Sequence, residues 1–217
     1  MLPFTREQFL GVFADYNTAV WPAQVVAYVL GLIVIAAVLR PSPLGHRAVA
    51  GVLAAMWVWT GVAYHGIYFA RINPAALVFG ALFVVQGVLF LMAGVARRRL
   101  VFGQPAGFVS VLGWALVAYA AVVYPLLGLA TGHAYPAQPM FGIAPCPVTL
   151  FTFGVLLLTR APVPRWLLII PLAWSLLGGS AAFMLGVPQD WPLLFSGVTI
   201  VLLVLRDRQR LGAHAVA

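Results

Sequence analysis

The chain has 217 residues, 64% of them hydrophobic and 7% charged, with a formal net charge of +8. A soluble domain carries roughly 25% charged residues, so this chain is built for lipid rather than water. Its twelve basic residues are all arginines, set in small groups between apolar runs, which excludes the dense basic face that nucleic acid requires.

The absence of lysine removes Schiff-base chemistry, and with it any retinal attachment. The one cysteine, Cys146, allows no internal disulfide and no cysteine-pair metal knuckle. At the N-terminus, MLPFTREQFLGVFADYNTAVWP contains Glu7 and Asp15 and does not read as a cleaved signal peptide.

In chain order, residues 1–20 come first. Phe4, Phe9, Val12, Phe13 and Tyr16 approximate a helical apolar face, with Arg6, Glu7 and Gln8 elsewhere. Two readings fit: an interfacial segment lying on the membrane, or an ordinary short helix capping the bundle. Seven apolar segments follow, at 21–39, 48–70, 74–96, 106–130, 143–159, 166–186 and 191–205. A spanning helix needs about 20 residues, so the fold class is all-α, a polytopic transmembrane helical bundle of about seven spanning helices over 21–205. A proline-rich outer loop at 131–147 interrupts it, and a basic cytoplasmic tail closes the chain at 206–217.

Arginine placement orients the bundle, because arginine is retained on the cytoplasmic side of short loops. Arg40 and Arg47, Arg97 to Arg99, Arg160 and Arg165, and Arg206, Arg208 and Arg210 put ten of the twelve on one side. Arg6 and Arg71 lie opposite, accompanied by Glu7, Asp15 and Asp190. The N-terminus is therefore expected outside and the C-terminus in the cytoplasm. A re-entrant fifth segment would move Arg160 and Arg165 outside, so 143–159 is expected to cross fully.

Several polar groups then gather at the outer leaflet: Tyr64, His65, Arg71, Asn73, Asp190 and the stretch from His133 to Gly154. Tyr64, Tyr68 and Arg71 share one stripe of an α-helix, as a ligand or anion site or as an anchored packing face. Thr149 and Thr152 offer hydroxyls near a helix N-terminus, either to a small polar solute or anion or to their own helix carbonyls. Pro136, Pro139, Pro145 and Pro147 predict a stiff non-helical cap over 134–147. His65, His133 and Cys146 are the metal-ligand set that the composition permits, suited to zinc or copper, with the two histidines as axial haem ligands in a variant of that reading. Each also reads as a packing residue. In IPLAWSLLGGSAAF, Ser175 with Gly179 and Gly178 with Ala182 permit close helix approach, while Pro171 offers a kink. Gln86, Tyr119 and Tyr124 are further polar groups suited to a bundle interior.

The order of FTREQF with AVWPAQ, GVAYHGIYFARINPAALVFGALFVVQ, YPLLGLATGHAYPAQPMFGIAPCPVTLFTFG and IPLAWSLLGGSAAFMLGVPQD resembles an uncharacterised family of small bacterial multi-pass membrane proteins, a domain of unknown function. The resemblance covers nearly the whole chain and implies a bacterial inner-membrane location. It assigns no catalytic or ligand residue. The expected function is a transport-like or accessory membrane protein with an outward-facing polar site, in contact with the bilayer, a small polar solute or anion, and a homo- or hetero-oligomeric partner. The alternatives are a metal- or haem-binding membrane protein, or an integral membrane enzyme using His133 and Cys146; a non-enzyme is the favoured expectation.

Overall fold

The computed structural model describes residues 3–200, so the tail at 206–217 and the end of the seventh apolar segment lie outside the described residues. Every extended element is a helix. The first, α1 (Arg6–Ala19), opens with a capping box in which Thr5 and Gln8 satisfy each other's backbone donors. It meets α2 (Ala23–Leu39) at 84° and so lies across one end of the bundle. Ser42 caps α3 (Pro43–Trp59), with Pro43 at the first position, where a missing donor costs nothing. This helix runs on through a π-helical stretch (Thr60–Tyr68) and a 3-10 turn (Phe69–Arg71). Next come α4 (Ala76–Phe90) with its π extension (Leu91–Ala96), then α5 (Phe108–Ala118), joined to α6 (Tyr124–Ala130) by a π turn (Tyr119–Val123). After a non-helical stretch come α7 (Pro145–Leu157) and α8 (Ile169–Leu185), followed by a turn (Pro188–Asp190) and helical backbone over 191–200.

Among the described residues, four helical stretches are long and apolar enough to cross a membrane: Pro43–Arg71, Ala76–Ala96, Phe108–Ala130 and Arg165–Leu185. A fifth arises if the bent pair α1 and α2 counts as one span. Their outer faces carry large apolar side chains such as Leu32, Leu77, Val85, Leu126 and Phe183, which suit acyl chains. At α3 and α4 the helices nearly touch. A Cβ on Gly87 would sit 2.8 Å from the Ala54 carbonyl oxygen, and one on Gly61 would sit 2.7 Å from that of Gly80. Small residues bring the backbones together because apolar burial alone gives helices no reason to associate in lipid.

The fifth apolar segment is the exception. As α7 it holds 13 residues, all of them buried. At 1.5 Å per residue it is about 20 Å long, short of a hydrocarbon core of about 30 Å. It is apolar on every side because protein surrounds it on every side. Gly154 rests on Gly113 of α5, and Trp57 of α3 donates its Nε1–H to Thr152 Oγ1 at 2.8 Å. Beyond α7, Gly103 N–H bonds Leu158 O and Arg160 N–H bonds Val101 O, each at 2.8 Å. This pairing closes the bundle end opposite α1. The cap also begins and ends differently from its sequence reading: Pro145 and Pro147 fall in the first turn of α7, where no backbone donor is needed. Pro171 likewise falls in the first turn of α8 and leaves that helix unbroken.

Candidate functional site

Two tyrosines five residues apart would diverge around an α-helix. The π turn between α5 and α6 brings Tyr119 and Tyr124 to one side, and they bond consecutive residues. Tyr119 OH donates to Gln189 O at 2.8 Å, and Tyr124 OH donates to Asp190 Oδ1 at 2.5 Å. Asp190 reaches that point because Gly186, at φ 65°, ends α8 in the left-handed region that glycine adopts without strain. It is 1% exposed. Burial pushes its carboxyl up to about 7, against the pull of the Tyr124 and Cys146 hydrogen bonds.

Cys146, in the first turn of α7, interacts with Asp190 and lies beside the indole of Trp174 from α8. These three residues border a cavity of about 190 Å³. The roof is α1, through Phe9 and Phe13, together with Phe4 just before it. Tyr64 walls one side, its ring stacked between Phe13 at 4.9 Å and Phe69 at 5.6 Å. Trp174 supplies the other side, and its buried Nε1–H meets only the Cys146 sulfur, a weak acceptor, with no oxygen or nitrogen acceptor in reach. A buried donor left unpaired costs about 1–3 kcal/mol, so such groups call for a partner.

The roof is tied down along its length. Arg6 Nη2 donates to His133 Nε2 at 2.7 Å, which fixes the proton on Nδ1, 3.1 Å from Thr131 Oγ1. Burial, then the Arg6 guanidinium, holds His133 below the ordinary histidine range. Asn17 Nδ2 donates to Pro136 O at 2.6 Å and Gln138 O at 2.7 Å, and Tyr16 OH donates to Ile143 O at 2.9 Å. The 131–144 stretch is thus a clamp on α1, and α1 itself is the lid.

Of the residues singled out by sequence, Tyr64, Asn73 and Cys146 border this cavity. His65 lies behind its wall, fully buried, its ring 5.0 Å from Trp174 and 4.8 Å from Phe83, with neither nitrogen partnered. Arg71 is exposed, bonding Ile67 O at 3.0 Å and lying 4.5 Å over the Tyr68 ring. The expected α-helical stripe is altered because Thr60–Tyr68 is π-helical, which turns Tyr64 inward while Tyr68 stays with Arg71. Thr149 and Thr152 spend their hydroxyl protons on Pro145 O and Val148 O at 2.8 Å. His65, His133 and Cys146 are not brought together: His65 is boxed by aromatic rings, His133 is engaged by Arg6 and Thr131, and Cys146 sits with Asp190. Among the described residues, no three His, Cys, Asp or Glu side chains are grouped to hold a metal.

Trp174 is the group that the sequence left unmarked, while Asp190 was placed with the outer polar groups but not among the ligand-binding residues. Asp190 carried a signal, as an acid immediately after an apolar span in VPQDWP. Trp174 carried none, because an indole in an apolar helix reads as packing.

Residues 6–215 match a family described as a family of unknown function, DUF6064. The chain belongs to that family. The DUF6064 match begins at the first residue of α1 and includes the clamp, α7 and Asp190, so all of the candidate site but Phe4 falls within it. No curated protein and no solved structure matches the chain. Family and helices together describe a multi-pass membrane protein of unknown activity.

Proposed function

We propose that this protein holds a small molecule in the cavity beneath α1, in a transport-like or accessory role, within the bacterial inner membrane. The observation that carries the reading is the cavity itself: about 190 Å³, roofed by a clamped helix, with, on its boundary, Asp190 and a Trp174 donor that has only the weak Cys146 sulfur to meet. An aromatic pocket with a few convergent polar groups is the usual form of a small-molecule site. We further propose seven crossings with this end outside. Support comes from the alternation of ends along the chain: His46 of α3 meets Phe102, which pairs with Thr159, at one end, and Phe69, Cys146 and Asp190 line the same cavity at the other. In this reading α7 crosses from the outer end to the inner one inside the protein, where lipid thickness sets no minimum length. The protein acts as a binder rather than an enzyme, since the Cys146 thiol has an acid and an indole beside it while His133 is occupied elsewhere.

Mass spectrometry of the gently purified protein tests the cavity. About one small molecule per chain is expected in wild type, and none in Ala181→Phe, which fills the space beside Trp174 from α8 while leaving the fold intact. A wild type without a bound molecule, or an Ala181→Phe variant that retains it, overturns the reading.

A further inference from the structure

The cavity also carries chemical information about what it takes, provided that it binds a small molecule as proposed. Its volume of about 190 Å³ exceeds the roughly 150 Å³ that admits benzene, so it fits one ring with a short substituent. Its boundary is dominated by aromatic and aliphatic side chains, and no basic residue is among the described residues that line it. An anion would therefore face the Asp190 carboxyl group without a counter-charge.

The polar side of the cavity is specific. Trp174 is 9% exposed, and its buried indole Nε1–H, which can only donate, has no acceptor beyond the weak one of the Cys146 sulfur. Gly178, one turn further along α8, faces that edge of the indole and itself lines the cavity, with a Cβ there 3.0 Å from Nε1. The missing side chain at 178 leaves the donor accessible from the cavity. Asp190 also lines the cavity and interacts with the same Cys146 thiol, one of its oxygens already accepting from Tyr124.

We infer that the ligand is uncharged and ring-sized, and that it docks an oxygen acceptor, a carbonyl or a hydroxyl, on Trp174 Nε1–H beside Asp190. An ammonium ion fails this requirement, because it has protons to give Asp190 but no lone pair for the indole. A hydroxyl serves both neighbours at once, accepting from Trp174 and donating to Asp190. A carbonyl accepts from Trp174 and from the Asp190 carboxyl group when that group is protonated. A plain hydrocarbon fills the space and leaves the donor to the weak Cys146 sulfur.

Five ring-sized probes separate these cases: toluene, acetophenone, benzyl alcohol, benzylammonium and benzoate. Their dissociation constants are read by ligand-observed magnetic resonance on the protein in lipid nanodiscs, with empty discs correcting for partition. Acetophenone and benzyl alcohol are expected to bind about ten-fold more tightly than toluene, the size of one net hydrogen bond. Trp174→Phe should erase that difference and leave toluene unchanged. Gly178→Ala, which retains the indole and covers its Nε1 edge, should weaken the two oxygen probes more than toluene. Because Trp174→Phe risks the packing, wild type labelled with nitrogen-15 in its indoles gives a second readout: one Nε1–H proton should move downfield with acetophenone and stay with toluene. Toluene binding as tightly as acetophenone, with no such movement, overturns the acceptor and leaves the cavity reading standing. Tightest binding by benzylammonium or benzoate overturns it in favour of a charged ligand. If none of the five binds, the cavity reading fails with it.

Discussion

Asp190 is the residue whose state responds most directly to pH. Its folded pKa of about 7 lies above its reference value of 3.8, so the native chain holds this proton more tightly than the unfolded one. The contribution is complete below about pH 4 and is lost as pH rises through about 7. His133 works in the opposite sense: its pKa is lowered from 6.5, so its contribution is present above that value and lost as pH falls. Comparing wild type with Asp190→Asn cancels the histidine term. Between about pH 4.5 and about pH 8 the wild type is expected to lose on the order of a few kcal/mol relative to that variant, read as thermal midpoints in detergent. A pH-independent difference between the two would show that Asp190 does not titrate in the folded protein. Single residues also mark where sequence reading stopped. Tyr64, Asn73 and Cys146 were legible because polar groups in an oily chain draw notice. The aromatic roof from α1 and the Trp174 donor were not, since an aromatic side chain that lines a cavity and one that fills a core have the same sequence pattern.

At the scale of elements, glycine spacing sets how closely α3 and α4 approach. Gly87→Ala would place its Cβ 2.5 Å from Val58 Cγ2 and 2.8 Å from Ala54 O, so the helices must separate. The expected loss is about 1–3 kcal/mol, the usual cost of overpacking. Gly51→Ala in α3 meets nothing within 4 Å and should instead stabilise by about 0.5–1 kcal/mol through helix propensity. Thermal melts of the two variants check both signs, and a harmless Gly87→Ala would mean that the α3–α4 contact is looser than described. Helix positions themselves were legible from hydropathy, because a spanning helix must be long and apolar. The π turns were not: Thr60–Tyr68 and Tyr119–Val123 depend on tertiary contacts, and each redirects a tyrosine that an ideal α-helix would have pointed elsewhere.

For the molecule as a whole, the proposed topology would put ten of the twelve basic residues on the cytoplasmic side. Fusions at Ala217 of a reporter active in the cytoplasm and of one active in the periplasm are expected to give signal from the cytoplasmic reporter alone. Periplasmic activity at that position would invert the proposed arrangement and turn the Asp190 end inward. The multi-helix class was legible from composition, but the length of α7 was not. A run of apolar residues records that a segment avoids water without recording whether lipid or protein receives it.

The burial of α7 has a consequence for how the molecule answers its surroundings. Hydrophobic mismatch acts on helices that touch acyl chains, at fractions of a kcal/mol for each ångström. The outward faces of α4, α5 and α8 carry exposed apolar side chains and feel a thicker or thinner bilayer through tilt. With all of its residues sealed in protein, α7 has no such surface. Cys146 at its first turn and Thr152 near its middle therefore belong to a column whose height is set by its neighbours' side chains, insulated from the lipid composition of the membrane around it.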